Sequence, residues 1–76
     1  LLDRANVDRA HFTNIHFADS SFVGTRGLDT AIFTNTQFTN VKVSQAEKAF
    51  FETRHPHMQF ESIDDQHWYM SGVISS

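Results

Sequence analysis

Five histidines and no cysteine set the chemistry open to this 76-residue chain. Without thiols there is no cysteine nucleophile, no disulfide and no thiolate metal site. His11 and His16 stand five residues apart, His55 and His57 flank Pro56, and His67 lies further along. No H-x-x-x-H or H-E-x-x-H spacing occurs, so no pair of imidazoles is set on one helical face to hold zinc. Asp64-Asp65 invites an acid–base reading, but at the start of a helix two acids serve more simply by facing the N-terminal dipole. No serine stands in a G-x-S-x-G turn, and no glycine-rich phosphate loop exists. The segment reads as non-catalytic, with no metal and no cofactor.

Charge narrows the partners. From Leu1 to Gln45 four acids (Asp3, Asp8, Asp19, Asp29) face four bases (Arg4, Arg9, Arg26, Lys42), and the net −3 of the chain lies in the remainder. A neutral region offers no basic stripe for nucleic-acid phosphates. No apolar run approaches the roughly 20 residues of a membrane-spanning helix.

The elements that position these side chains keep a period of five. In "AHFTNIHFADSSFVG" the residues Phe12, Phe17 and Phe22 recur every fifth place, a spacing that neither an α-helix nor a flat strand explains. The pentads run ANVDR, AHFTN, IHFAD, SSFVG, then an irregular TRGLDT, then AIFTN, TQFTN and VKVSQ. The third residue is large and apolar, the first is small or β-branched, and the fifth is usually a turn former: Asn14, Asp19, Gly24, Asn35, Asn40. Repetition of this kind settles architecture ahead of local propensity.

The pattern over Ala5 to Gln45 resembles the pentapeptide-repeat proteins. That resemblance implies a mainly β fold, a right-handed quadrilateral β-helix of about two coils, with one pentad per side and four per coil. Residues about one coil apart then stack at the inter-strand spacing of roughly 4.8 Å. With one residue inserted in TRGLDT, Val7 stacks on Leu28, Phe12 on Phe33, Phe17 on Phe38 and Phe22 on Val43, with Leu2 beneath Phe22. A bulge or wide corner is expected at the insertion, relaxed by Gly27. Two coils are few for a repeat array, so the chain reads as part of a longer protein whose N-terminal coil continues.

Residues 46–76 break the period and are expected to form short α-helices, a cap and then the start of a helical domain. Ser44 and Glu47 have capping-box spacing before "QAEKAFFET", with Ala46, Ala49 and Phe50 as the apolar stripe and Phe51 flanking it. A second box, Ser62 to Asp65, leads into "QHWYMSGVIS", where Ile63, Met70, Val73 and Ile74 would share a helical face. Trp68-Tyr69-Met70 reads as a core anchor or, if exposed, as a binding cluster.

Outward positions in the repeat are Asn6, His11, His16, Ser21, Ile32, Gln37 and Lys42. His11, His16, Ile32 and Gln37 are the candidate protein-binding residues, Ile32 being the one apolar member of the polar set. A stiff solenoid with flat outer faces suits protein recognition. The stretch "FESIDDQHWYMSGVISS" is also similar to the start of the central region of bacterial type III secreted effectors that are HECT-like E3 ubiquitin ligases. That resemblance implies a recognition β-helix within a larger secreted effector acting in the host cell. Its partners would be substrates or host ubiquitin-pathway proteins, and the catalytic cysteine would lie elsewhere in the parent. A structural spacer and a DNA mimic that binds topoisomerase are the alternatives, though the neutral repeats lack the acidic surface that mimicry needs.

Overall fold

Except across the insertion, every fifth residue of the first 40 bends the chain through a left-handed backbone conformation. Arg4, Arg9, Asn14, Asp19, Asn35 and Asn40 hold φ between +48° and +62°, and Gly24 takes the same place in its pentad at +76°. Between these bends lie short extended segments. In the computed structural model, which describes residues 2–75, they include β1 (His11–Thr13), β2 (His16–Ala18), β3 (Ile32–Thr34) and the longer β4 (Thr36–Ser44). Leu1 and Ser76, the outer limits of the two expected segments, lie outside the described residues.

The segments pair in parallel, one layer on the next. His11, Phe12 and Thr13 of β1 face Ile32, Phe33 and Thr34 of β3, while β2 pairs with β4 so that His16 faces Gln37 and Phe17 faces Phe38. Single parallel bridges join Asn6 to Arg26 and Ser21 to Lys42. Separation along the chain grows from twenty residues at Asn6–Arg26 to twenty-one at His11–Ile32, so the extra residue is absorbed between Arg26 and Ile32. Gly27 lies there with φ +86°, and a Cβ on it would stand 2.5 Å from the backbone nitrogen of Asp8. Leu28, next along, is buried. The insertion therefore keeps the inward apolar position while glycine lets two backbones meet.

Phenylalanine fills the interior. Phe12 stacks on Phe33 with ring centroids 5.0 Å apart, and Phe17 on Phe38 at 5.5 Å, both pairs within 12° of parallel. Phe22, Phe38, Val41 and Val43 are fully buried, while Phe12 and Phe17 in the first layer are only partly covered. Buried hydroxyls tie the layers together: Thr25 donates to the Leu2 carbonyl at 2.7 Å and Thr36 to that of Phe12 at 3.1 Å. Among the described residues no buried side-chain donor or acceptor lacks a partner.

The expected first helix is present as α1 (Gln45–Arg54), and so is its capping box, in which the Ser44 N–H and hydroxyl both donate to Glu47 Oε1, at 2.8 and 2.6 Å. Its inward face differs from the expected one. Ala46 and Ala49 are exposed and Phe50 is half-buried, whereas Phe51 is fully buried against Phe22, Phe33 and Phe38. The cap bond explains this, because it turns Glu47 inward and the residue four places on, Phe51, shares that face.

The expected second helix is a strand. Residues Gln59–Ser62 form β5 and His67–Ile74 form β6, so the stretch beginning at Phe60 opens no helical domain but completes a four-stranded sheet in the order β2-β4-β6-β5. β6 runs antiparallel to both neighbours. Trp68, Met70, Gly72 and Ile74 alternate toward the core, with period two rather than 3.6. Most of the expected second box falls in the hairpin connection, Ile63 to Gln66, where Asp64 accepts the Gln66 N–H at 2.8 Å and its carbonyl accepts the Ser62 hydroxyl at 3.2 Å. Ile63 and Val73, expected on the helix's apolar face, are exposed. Where β4 crosses its bend at Asn40, two residues (Thr39, Asn40) lie opposite the single Ser71, a β-bulge. No helix among the described residues is long and apolar enough to cross a membrane.

Two substitutions separate these backbone requirements. Arg9 has no short polar side chain to offset a left-handed φ, so Arg9→Asn is expected to raise unfolding free energy by up to about 1 kcal/mol in urea titrations. Gly27→Ala, which meets both a positive φ and the Asp8 backbone, is expected to lower it by about 2 kcal/mol or more.

Candidate functional site

Parallel pairing brings the four candidate residues together two by two. His11 faces Ile32 across β1–β3 and His16 faces Gln37 across β2–β4, and all four are exposed. The bends at Asn14 and Asn35 separate the pairs, so they lie on two neighbouring stretches of surface. Ile32 is 49% exposed. His16 Nε2 lies 3.0 Å from the Thr39 hydroxyl, which fixes its ring against β4.

The second pair is wider than the repeat alone. β6 continues its row, because Gln37 also faces Val73, and Val73 is 47% exposed. His57 Nε2 lies 2.7 Å from the Val73 carbonyl, so His16, Gln37, Val73 and His57 line one band across the sheet. A helical reading of the tail puts Val73 in a core, and only the alternation of residues 68–74 marks it as outward. The same alternation divides Trp68-Tyr69-Met70: Met70 is buried, Tyr69 is 40% exposed, and Trp68 is partly buried with Lys48 Nζ 5.1 Å from its ring centre.

His55, His57 and His67 do not converge as ligands. His55 and His57 ring centres are 6.2 Å apart, and His67 Nδ1 lies 2.9 Å from Asp64 Oδ1 in the hairpin turn. Among the described residues no group of three or more histidine, aspartate or glutamate side chains is placed to hold a metal ion.

Among the described residues, two side chains have perturbed protonation. Burial first, then the positive charges of His57 and Arg54, hold His55 below the ordinary histidine value of 6.5. The unfolded chain takes up that proton more readily, so stability is full above pH 6.5 and declines as pH falls toward the lower folded value. The Gln66 backbone N–H, then His67, hold the Asp64 carboxyl below 3.8. Its contribution is present above pH 3.8 and is lost as pH falls through its folded value. Thermal melts should therefore show a lower Tm at pH 5 than at pH 8. His55→Gln should flatten that limb, while Asp64→Asn should leave it intact and flatten the one below pH 4.

Comparison with family models, curated proteins and solved structures finds no match to this chain, so the site is read from its own geometry.

Proposed function

We propose that the chain is a non-catalytic protein-recognition module built as a two-coil, right-handed quadrilateral β-helix. Four successive parallel contacts, each about one coil apart in sequence, and left-handed residues at five-residue intervals before and after the insertion support that architecture. The observation that carries the functional reading is the juxtaposition of His11 with Ile32 and of His16 with Gln37 on exposed, rigidly paired backbone. Side chains held at cross-strand spacing lose little freedom on binding, which favours recognition. A standard interface takes about 800 Å² from each partner, so contact extends past these four residues, with Val73 the exposed apolar neighbour beside Gln37.

The resemblance to pentapeptide-repeat and type III effector sequences suggests such a module within a bacterial secreted effector, with host ubiquitin-pathway proteins as the first partner class to test. Residues 60–75 lie in the module's own sheet and hairpin, so the effector reading rests on the repeat and not on a helical continuation.

Affinity capture tests the module. The whole chain, immobilised, is offered purified host ubiquitin-conjugating enzymes and, separately, host and bacterial lysates. The expected result is a host protein whose recovery falls at least tenfold with Ile32→Ser and with His16→Ala, both variants keeping the parent circular dichroism. Equal recovery by both variants, or nothing captured by folded protein, would leave a structural spacer, and capture of topoisomerase would shift the reading to mimicry.

A further inference from the structure

Beside the bulge in β4 a groove lies on the outer face of the four-stranded sheet. Ser21, Lys42, Tyr69 and Glu61 form one row across the strands, through the Ser21–Lys42 bridge and the Lys42–Tyr69 and Tyr69–Glu61 register pairs. Beside this row stand Asp19 and Asn40, both left-handed corner residues of the repeat. Together these residues line a hollow of about 410 Å³, and a second hollow of about 430 Å³ adjoins it, sharing Asn40, Glu61 and Tyr69. Tyr69 is exposed and lines both hollows. Both hollows are open to solvent, and their volumes match that of a small ligand.

The lining selects among ligands. Lys42, Asp19 and Glu61 make no ion pair within 4.0 Å among the described residues, so their polar atoms face the groove uncommitted to one another. With strands about 4.8 Å apart, the backbones of Lys42 and Glu61 stand about 10 Å from each other with Tyr69 between them. An apolar ligand would strand these charges and amides without partners. A polyphosphate or nucleic acid would meet two carboxylates for one ammonium. A metal ion would find those carboxylates at opposite margins of the sheet.

A polyhydroxylated ring satisfies the whole set. Its C–H face packs on an aromatic ring, and its neighbouring hydroxyls donate to carboxylate or amide oxygens and accept from an ammonium or amide. We propose that this groove binds a neutral oligosaccharide, with one pyranose ring against Tyr69 and its hydroxyls bonded to Asn40, Glu61, Asp19 and Lys42. The site uses none of the residues assigned to protein recognition and stands or falls separately from that reading.

The test is an amide chemical-shift titration of the whole chain with maltose, cellobiose, lactose and N,N′-diacetylchitobiose, with inorganic phosphate as the control. At least one disaccharide is expected to shift the amides of Asn40, Lys42, Glu61 and Tyr69 in a saturable manner. Tyr69→Ala, and Asn40→Gly, which keeps the left-handed bend while removing the amide, should each weaken that binding at least tenfold. If Tyr69→Ala loosens the hairpin, Asn40→Gly and Glu61→Gln decide the matter. No response of these amides to any of the four sugars, a larger response to phosphate, or undiminished binding by the variants would overturn the proposal.

Discussion

The constraint on which this molecule depends is a left-handed residue at every fifth position on either side of the insertion at Gly27. It breaks extended chain into segments too short to form an ordinary sheet, and it returns each segment to lie above the one about twenty residues earlier. Because the return is regular, an inward phenylalanine meets an inward phenylalanine, and the core becomes a pair of near-parallel ring stacks. Asparagine and aspartate hold four of the bends cheaply, since a short polar side chain bonds locally to backbone. Where the bend at Asn40 falls inside β4, an antiparallel neighbour can keep pace only by skipping a residue, and the bulge opposite Ser71 results. The corner rule of the repeat thereby places a bulge beside the groove at Tyr69.

A chain of this size buries too little surface to leave its core ends open at no cost. At one end α1 lays Phe51 across the rings of Phe22, Phe33 and Phe38, and β6 adds Met70 and Ile74 to the same cluster. At Gly72, which holds a φ of +154°, an added Cβ would press on the Met58 sulfur and the thioether would have to shift. At the other end Phe12 and Phe17 remain partly covered. The hairpin also gives β4 a partner on both sides, parallel through β2 and antiparallel through β6, so repeat and tail share one sheet.

The legible part of the fold is whatever the sequence repeats. The inward residues, the extra residue near Gly27 and the outward placement of His11, His16, Ile32 and Gln37 all come from counting by five. The tail contains no repeat, and there two similar signals diverge. Ser44 to Glu47 and Ser62 to Asp65 both have capping-box spacing, yet the first caps a helix and the second makes a hairpin turn. A local motif fixes a bend in the backbone, but the element after the bend depends on which distant edge is free, and here that edge is β4. Met70 and Ile74 are four apart, which satisfies a helical face and a strand face alike, and aromatic and β-branched neighbours favour the strand. Phe51 moves from flank to centre because the inward turn of Glu47 sets the rotation of α1. The outward faces of Val73 and Tyr69 are hidden in the sequence for the same reason: their exposure is a property of β6 pairing, not of their own neighbours.

One spectrum tests the joined sheet directly. Cross-strand nuclear Overhauser contacts in the whole chain should connect His16 with Gln37 in parallel register, Val41 with Met70 in antiparallel register, and the Phe12 ring with that of Phe33. Sequential i to i+3 contacts along 67–74, or the absence of any contact between β4 and that segment, would show a helical tail and contradict the fold from which both binding surfaces are drawn.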